Sequence, residues 1–190
     1  MSVCVSAIIA HPWKGFSRDI AQNVASTISG TTDPPKYLLE PPIKTPEDDF
    51  LAHGYVHCSL ANSFMLDFGS KVLIFGNADR WSRFLINIEC RRSFLTVCKN
   101  LTVLCQAPEV LLLPEGSIIE DLLHDGATFD TFKQAASRHW GPPNIDIDRI
   151  YGEDELYRNN GKRVDYALIP AETLLNARYI DTETKHTKSF

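Results

Sequence analysis

Histidine and aspartate side chains near the middle of the chain offer the first candidates for chemistry. His53 and His57 are four residues apart, and Asp48 and Asp49 precede them. On a helix this spacing would place two imidazole rings on one face, as in a metal site. Gly54 is a poor helix residue, however, and it stands where the zinc-protease motif H-E-x-x-H requires glutamate. The sequence therefore predicts no metal site here.

Other short motifs also fall short of a known site. Gly69-Ser70-Lys71 ends like a phosphate-binding loop but lacks the earlier glycine of that motif. His124-Asp125 precedes Gly126, as expected at the end of a helix. Catalytic groups can still meet in space without a motif, so a small hydrolase is the alternative function. Its candidate residues, distant in sequence, are His11, His53, His57, Asp48 and Asp49.

Charge is distributed unevenly along the chain. Residues 109–155 contain eleven acidic side chains against three basic ones, a net charge of −8. Residues 71–106 contain six basic side chains against two acidic ones, a net charge of +4. If folding gathers the acidic side chains on one face, their field would attract and orient a basic partner. The other interpretation is a solvated surface that balances the basic segment of the same molecule.

The acidic stretch is the predicted partner-binding surface. Its candidates are Glu115, Glu120, Asp121, Asp125, Asp146, Asp148, Glu153, Asp154 and Glu155, with Tyr151 as an aromatic anchor. Phe129 and Trp140 are two further aromatic candidates for an interface anchor, but a place in the core suits them equally well. The pattern predicts a cytoplasmic protein-binding module, an immunity-type inhibitor that blocks a basic partner with an acidic face. We expect a binding protein rather than an enzyme, with no cofactor and no metal.

Nucleic-acid binding is a third hypothesis. It requires the basic residues to share one face, with Trp81 and Phe84 stacking on bases. The overall net charge of −5 argues against it. The basic candidates are Arg80, Arg83, Arg91, Arg92 and Lys99.

Composition indicates an ordinary globular protein. The chain has 190 residues, of which 44% are hydrophobic and 23% charged, values typical of one folded domain. Its five cysteines form no C-x-x-C pair, which favours reduced, buried thiols and an intracellular location. No apolar run reaches the ~20 residues of a membrane-spanning helix, so we expect no membrane partner.

The first half of the chain alternates between strand and helix signals. Residues 2–9 carry the apolar alternation of a strand, and Ser17 is placed to cap a helix that ends at Gly30. Five prolines make residues 31–50 a loop. Gly69-Ser70 separates two apolar runs, as in a β-hairpin, and residues 84–88 alternate like a further strand.

Helix signals dominate the second half. Apolar residues recur at helical spacing over residues 94–105, and Thr128 precedes a helix that runs to Trp140. Ser117 and Glu120 fit a capping box. Residues 110–113 and 163–169 indicate strands, and residues 171–177 a short helix. The predicted fold class is α+β, a mainly antiparallel sheet with several short helices packed on it as a single pair of layers. Residues 1–180 form one domain, and residues 181–190 a polar tail.

Overall fold

The computed structural model describes residues 4–29, 55–59, 64–80, 88–114, 121–123, 125–144 and 166–176. Six strands form one sheet: β1 (Cys4–Ala10), β2 (Tyr55–Ser59), β3 (Phe64–Gly69), β4 (Val72–Arg80), β5 (Glu109–Pro114) and β6 (Ala167–Pro170). The described helices of six residues or more are α1 (Arg18–Ser29), α2 (Ile88–Cys105), α3 (Phe129–Trp140) and α4 (Ala171–Asn176).

The strands follow the order β2-β3-β4-β1-β5-β6. Every neighbouring pair is antiparallel. β1 lies in the interior of the sheet, where Ala7 is paired with Phe75 of β4 on one side and with Leu112 of β5 on the other. All residues from Val5 to Ile9 are buried, as expected for a strand that is covered on both faces. The α+β class and the antiparallel sheet predicted from the sequence are confirmed.

Helices cover both faces of this sheet. On the first face, α1 and α2 contribute Val24, Phe94 and Leu101 to a core with Ala7 and Phe75. On the second face, α3 packs on residues of β1, β4 and β5 through Phe129, Phe132 and Ala136. The sequence predicted two layers, the sheet and helices on one face of it. The fold has three layers, because helices lie on both faces of the sheet. The physical reason is that β1, β4 and β5 are apolar on both faces, and each face must be covered.

The helix at residues 94–105 is confirmed as part of α2, although threonine and valine oppose it. Thr96 donates its hydroxyl proton to the carbonyl oxygen of Arg92 at 2.8 Å, and Thr102 donates to that of Lys99 at 2.7 Å. These bonds satisfy the hydroxyl groups within the helix itself. α2 begins at Ile88, so the end of the predicted strand 84–88 is helical, and residues 81–87 lie outside the described part.

The local predictions at helix starts and turns also agree with the structure. The Ser17 hydroxyl accepts a hydrogen bond from the Ile20 backbone at 3.3 Å, which confirms Ser17 as the cap of α1. The predicted hairpin is β3–β4, with Phe68 paired to Leu73. The prolines of residues 31–50, the capping box at Ser117 and Glu120, and the tail at 181–190 lie outside the described residues.

Thr128 caps α3, and its removal tests how much this cap stabilises the fold. Its hydroxyl accepts a hydrogen bond from the Thr131 backbone at 3.4 Å. We expect Thr128→Ala to lower the free energy of unfolding by ~1 kcal/mol, because it leaves a helix-terminal N–H without its partner. Urea denaturation measures the change. Gln134→Ala, at an exposed position of the same helix, is the control, and an equal loss in both variants would contradict the capping role.

Candidate functional site

The end of β1 that follows Ala10 is where several predicted functional residues lie. Ala10 is paired with Val72 at the start of β4, and Ile9 with Val110 near the start of β5. The β3–β4 turn and the first residues of β5 are therefore next to His11. Antiparallel pairing alone fixes this neighbourhood, because it aligns the end of one strand with the start of the next.

Both the backbone and the ring of His11 form hydrogen bonds to the β3–β4 turn. The backbone N–H donates to the Lys71 carbonyl oxygen at 3.2 Å, and ring atom Nε2 lies 3.0 Å from the Gly69 carbonyl oxygen. A carbonyl oxygen only accepts, so Nε2 carries the proton of this bond. The other ring nitrogen, Nδ1, is enclosed, and the ring stacks on Trp13 with centroids 4.6 Å apart.

The surroundings of His11 favour its neutral form. Burial of the ring, the largest effect, lowers its pKa below the ordinary value of 6.5, and the charge of Lys71 acts in the same direction. Hydrogen bonding to the backbone of Gly69 and of Val72 opposes this shift. A general base needs a nitrogen within reach of substrate. Since Nε2 is bonded and Nδ1 is enclosed, His11 acts here as a link between β1 and the turn.

Of the other candidates of the hydrolase hypothesis, the structure describes His57, and its strand is not adjacent to β1. His57 lies on β2, paired with Asp67 of β3, and β3 and β4 both separate β2 from β1. Three strand spacings correspond to about 14 Å. His53, Asp48 and Asp49 lie outside the described residues. His11 and His57 therefore belong to different places in the fold.

The β3–β4 turn also contacts the segment that precedes α3. A Cβ atom added at Gly69 would lie 2.8 Å from Leu123 Cδ1, and one added at Gly126 would lie 3.5 Å from Ser70 Oγ. Gly69 is thus held between the His11 ring, through its carbonyl oxygen, and the Leu123 side chain. We call residues 121–123 and 125–127 the acidic segment, because it carries two predicted partner-binding residues.

Asp121 and Asp125 are the two predicted partner-binding residues that the structure describes. Both are exposed, and the Asp125 N–H donates to the Asp121 carbonyl oxygen at 3.1 Å. This bond is that of one helical turn, which places residues i and i+4 on the same side. Leu122 and Leu123 pack in the core of the second face. The leucines therefore anchor the segment while the two carboxylates remain in solvent.

Gly126 ends this turn and leads into α3. Its φ of +65° is in the left-handed region, which glycine adopts without steric cost. The Gly126 N–H donates to the Leu123 carbonyl oxygen and the Ala127 N–H to that of Leu122, both at 3.0 Å. Four residues after Gly126, Asp130 is exposed in the first turn of α3. A carboxylate there is favoured by the helix dipole.

Not every acidic side chain of residues 109–155 contributes to this surface. Glu109 forms an ion pair with Lys133, with Oε1 and Nζ 2.6 Å apart. Their charges balance, so Glu109 adds little to the field outside the molecule. Eight predicted partner-binding residues lie outside the described part of the chain: Glu115, Glu120, Asp146, Asp148, Tyr151, Glu153, Asp154 and Glu155.

The two aromatic residues left open by the sequence lie against the second face of the sheet. Phe129 is buried there with Phe132. Trp140 is partly buried, with its ring centroid 5.8 Å from that of Tyr166, and the Tyr166 hydroxyl donates to the Gly141 carbonyl oxygen at 2.8 Å. Both side chains stabilise α3 against the sheet.

The basic residues of the nucleic-acid hypothesis do not form an exposed set where they are described. Arg91 is only 5% exposed, and Nε of Arg92 is enclosed. A phosphate contact requires an accessible cation, so Arg91 does not supply one. The side chains of Arg80 and Arg83 lie outside the described part.

The two cysteines whose side chains are described are free, buried thiols in α2. Burial raises the pKa of Cys105 to about 12 and raises that of Cys98 as well, so both remain protonated near neutral pH. The thiolate is the nucleophilic form, and these two residues are therefore core rather than catalytic.

The described residues contain no group of three or more His, Cys, Asp or Glu side chains that could hold a metal ion. None of their helices has the length and apolar character needed to cross a bilayer.

Comparison with known proteins gives no further guide to function. The chain matches no protein family, no curated protein sequence and no solved structure. Its candidate site is therefore defined by the geometry of its own residues.

A substitution at Gly69 tests the contact between the turn and the acidic segment. We expect Gly69→Ala to lower the free energy of unfolding by ~1–3 kcal/mol, because the new methyl group overlaps Leu123. Gly15→Ala is the matched control, since no atom lies within 4 Å of its added Cβ. Urea denaturation gives both values.

The same contact can be tested by a double variant. Trimming Leu123 to alanine should relieve the overlap, so Gly69→Ala should cost less in the Leu123→Ala background than in the parent protein. Strictly additive losses would show that the two residues do not touch.

Proposed function

We propose that this protein is a cytoplasmic protein-binding module that holds and blocks a basic partner, in the manner of an immunity-type inhibitor. The observation that carries the proposal is the acidic segment. It presents Asp121 and Asp125 to solvent one helical turn apart, on a backbone anchored by Leu122 and Leu123.

Electrostatics supports a basic partner for this surface. Asp121 and Asp125 are exposed before α3, and Asp130 is exposed in its first turn. Like charges on one side of a protein raise the local potential and steer an oppositely charged partner during encounter. At physiological salt the attraction reaches about 8 Å from the surface, which is enough to orient a partner before contact.

The way the segment is held supports a binding role. Three backbone hydrogen bonds join Asp125, Gly126 and Ala127 to residues 121–123. The β3–β4 turn also packs against this segment, through Gly69 and Ser70. A binding surface that is already ordered loses less conformational entropy on association. The carboxylates are therefore presented at a defined spacing before any partner arrives.

The hydrolase alternative has weaker support. Of the described histidines in that hypothesis, His11 is the one whose side-chain surroundings are known. Its Nε2 is bonded to the turn and its Nδ1 is enclosed. No described observation favours catalysis over binding at this end of the sheet.

Removing two charges tests the proposal. We expect Asp121→Asn with Asp125→Asn to weaken capture of a basic protein about tenfold, since two partly screened ion pairs together supply ~1.4 kcal/mol. The tagged full chain is used for capture from cells of its source, with quantitative mass spectrometry. The captured protein is then purified and its affinity measured at several salt concentrations.

The matched control removes two exposed carboxylates elsewhere. Asp19→Asn with Glu172→Asn changes the net charge equally, on α1 and α4, and both helices pack on the other face of the sheet. The control should capture the partner as the parent does. The proposal fails if no protein depends on Asp121 and Asp125 for capture, or if the affinity of the captured protein does not fall as salt rises.

A further inference from the structure

The position of His11 suggests how the acidic segment is controlled. The His11 ring bonds to the Gly69 carbonyl oxygen at 3.0 Å, and the other side of Gly69 faces Leu123, 2.8 Å from the Cβ position. Leu123 in turn accepts the hydrogen bond of the Gly126 N–H at 3.0 Å. One chain of contacts therefore leads from the ring of His11 through the turn to the acidic segment.

We propose that His11 is a proton-operated latch that holds the β3–β4 turn against the acidic segment, so that protonation of the ring frees the turn and loosens the segment. The effect on partner binding rests on the function proposed above, whereas the structural effect does not. In the closed latch the ring is neutral, its Nε2 donates a hydrogen bond to the Gly69 carbonyl oxygen, and its Nδ1 is enclosed by the protein.

Protonation disturbs this arrangement for a stated reason. The charged ring carries a second N–H at Nδ1, and that atom is enclosed. Burial of the charge outweighs the hydrogen bonding of the ring to the backbone of Gly69 and of Val72, and the cost of burial is removed if the ring moves into solvent. Movement of the ring breaks its bond to Gly69, the residue of the turn that faces Leu123.

Burial of the ring and the charged groups around it set the sign of the effect. Among the described residues, the charged groups at this end of the sheet are Lys14, Asp67, Lys71, Asp121, Asp125 and the Glu109–Lys133 pair. Burial has the largest effect on the pKa of the His11 ring and lowers it, and of these charged groups Lys71 acts in the same direction. Hydrogen bonding to the backbone of Gly69 and of Val72 raises the pKa but is outweighed. The pKa of the closed latch is therefore below 6.5, the ordinary value that the ring regains when it is released.

The direction of the pH dependence follows from this difference. The stabilisation by the latch is complete above pH 6.5 and is lost as the pH falls through the lowered pKa of His11. Within that window the population of the open form rises by a factor that approaches ten for each pH unit. Core strands should keep their protection, since only the contacts around the turn are broken.

Nuclear magnetic resonance of the full chain between pH 7.5 and 5 tests the latch. The amides of His11, Asp125, Gly126 and Ala127 each donate a hydrogen bond in the closed form. Their hydrogen exchange, corrected for the intrinsic effect of pH, should speed up as the His11 ring titrates. The midpoint of that titration should lie below 6.5. The latch is refuted if the midpoint lies at or above this value, or if the ring titrates without a change at these amides.

Two variants assign the effect to His11. His11→Gln keeps a donor for the Gly69 carbonyl oxygen but cannot titrate, so the pH dependence of the four amides should disappear. His139→Gln, at an exposed position of α3, should retain it. Persistence of the effect in His11→Gln would overturn the proposal. If His11→Gln does not fold, the ring titration and amide exchange of the parent protein decide the question by the criteria above.

Binding can be measured separately from the latch. For a captured basic protein, the affinity of the parent chain should fall between pH 7 and the lowered pKa, and the affinity of His11→Gln should fall less. Failure to capture any protein would remove the proposed function but leave the exchange experiment intact. An unchanged exchange pattern would remove the latch but leave the charge experiment intact.

Discussion

The burial of β1 on both faces and its pairing on both edges is the constraint on which the rest of the structure depends. Residues from Val5 to Ile9 are buried, and their backbone groups bond to β4 and β5. A strand in this position leaves no face for solvent, so helices must cover the sheet on two sides. α1 and α2 cover one side and α3 covers the other.

The same constraint creates the candidate site. Because β1 is paired with the starts of β4 and β5, the residue that follows it lies at the β3–β4 turn. His11 occupies this place, and its ring and backbone bind the carbonyl oxygens of Gly69 and Lys71. The turn then packs on Leu123, which connects the buried strand β1 to the segment that carries the exposed carboxylates of Asp121 and Asp125.

Ion pairing and burial reduce the number of charged side chains that act on a partner. Counting charges in the sequence treats Glu109 and Asp125 alike, but Glu109 is balanced by Lys133 at 2.6 Å, and Asp125 is exposed. Arg91 likewise counts as a cation of the basic segment, yet it is buried. Only exposed charges contribute fully to steering a partner, so the surface offered to a partner is smaller than the sequence suggests.

The sequence by itself determined the local elements. Alternating apolar residues marked β1, Ser17 and Thr128 marked the starts of α1 and α3, and Gly69 marked the hairpin turn. These features are predictable because each depends on hydrogen bonds or burial periodicity within a few residues. At α2, helical spacing of apolar residues outweighed the β propensity of Thr96 and Thr102, whose hydroxyl groups bond within the helix.

Only the tertiary structure decided the number of layers, the pairing of Glu109 and the role of His11. Each depends on residues far apart in sequence: Glu109 meets Lys133 because α3 packs beside β5, and His11 meets Gly69 because β1 pairs with β4. From the sequence, His11 is one candidate residue of a hydrolase site, since an imidazole has suitable chemistry. Strand pairing instead directs one ring nitrogen to a carbonyl oxygen and encloses the other, and no local pattern records such a contact.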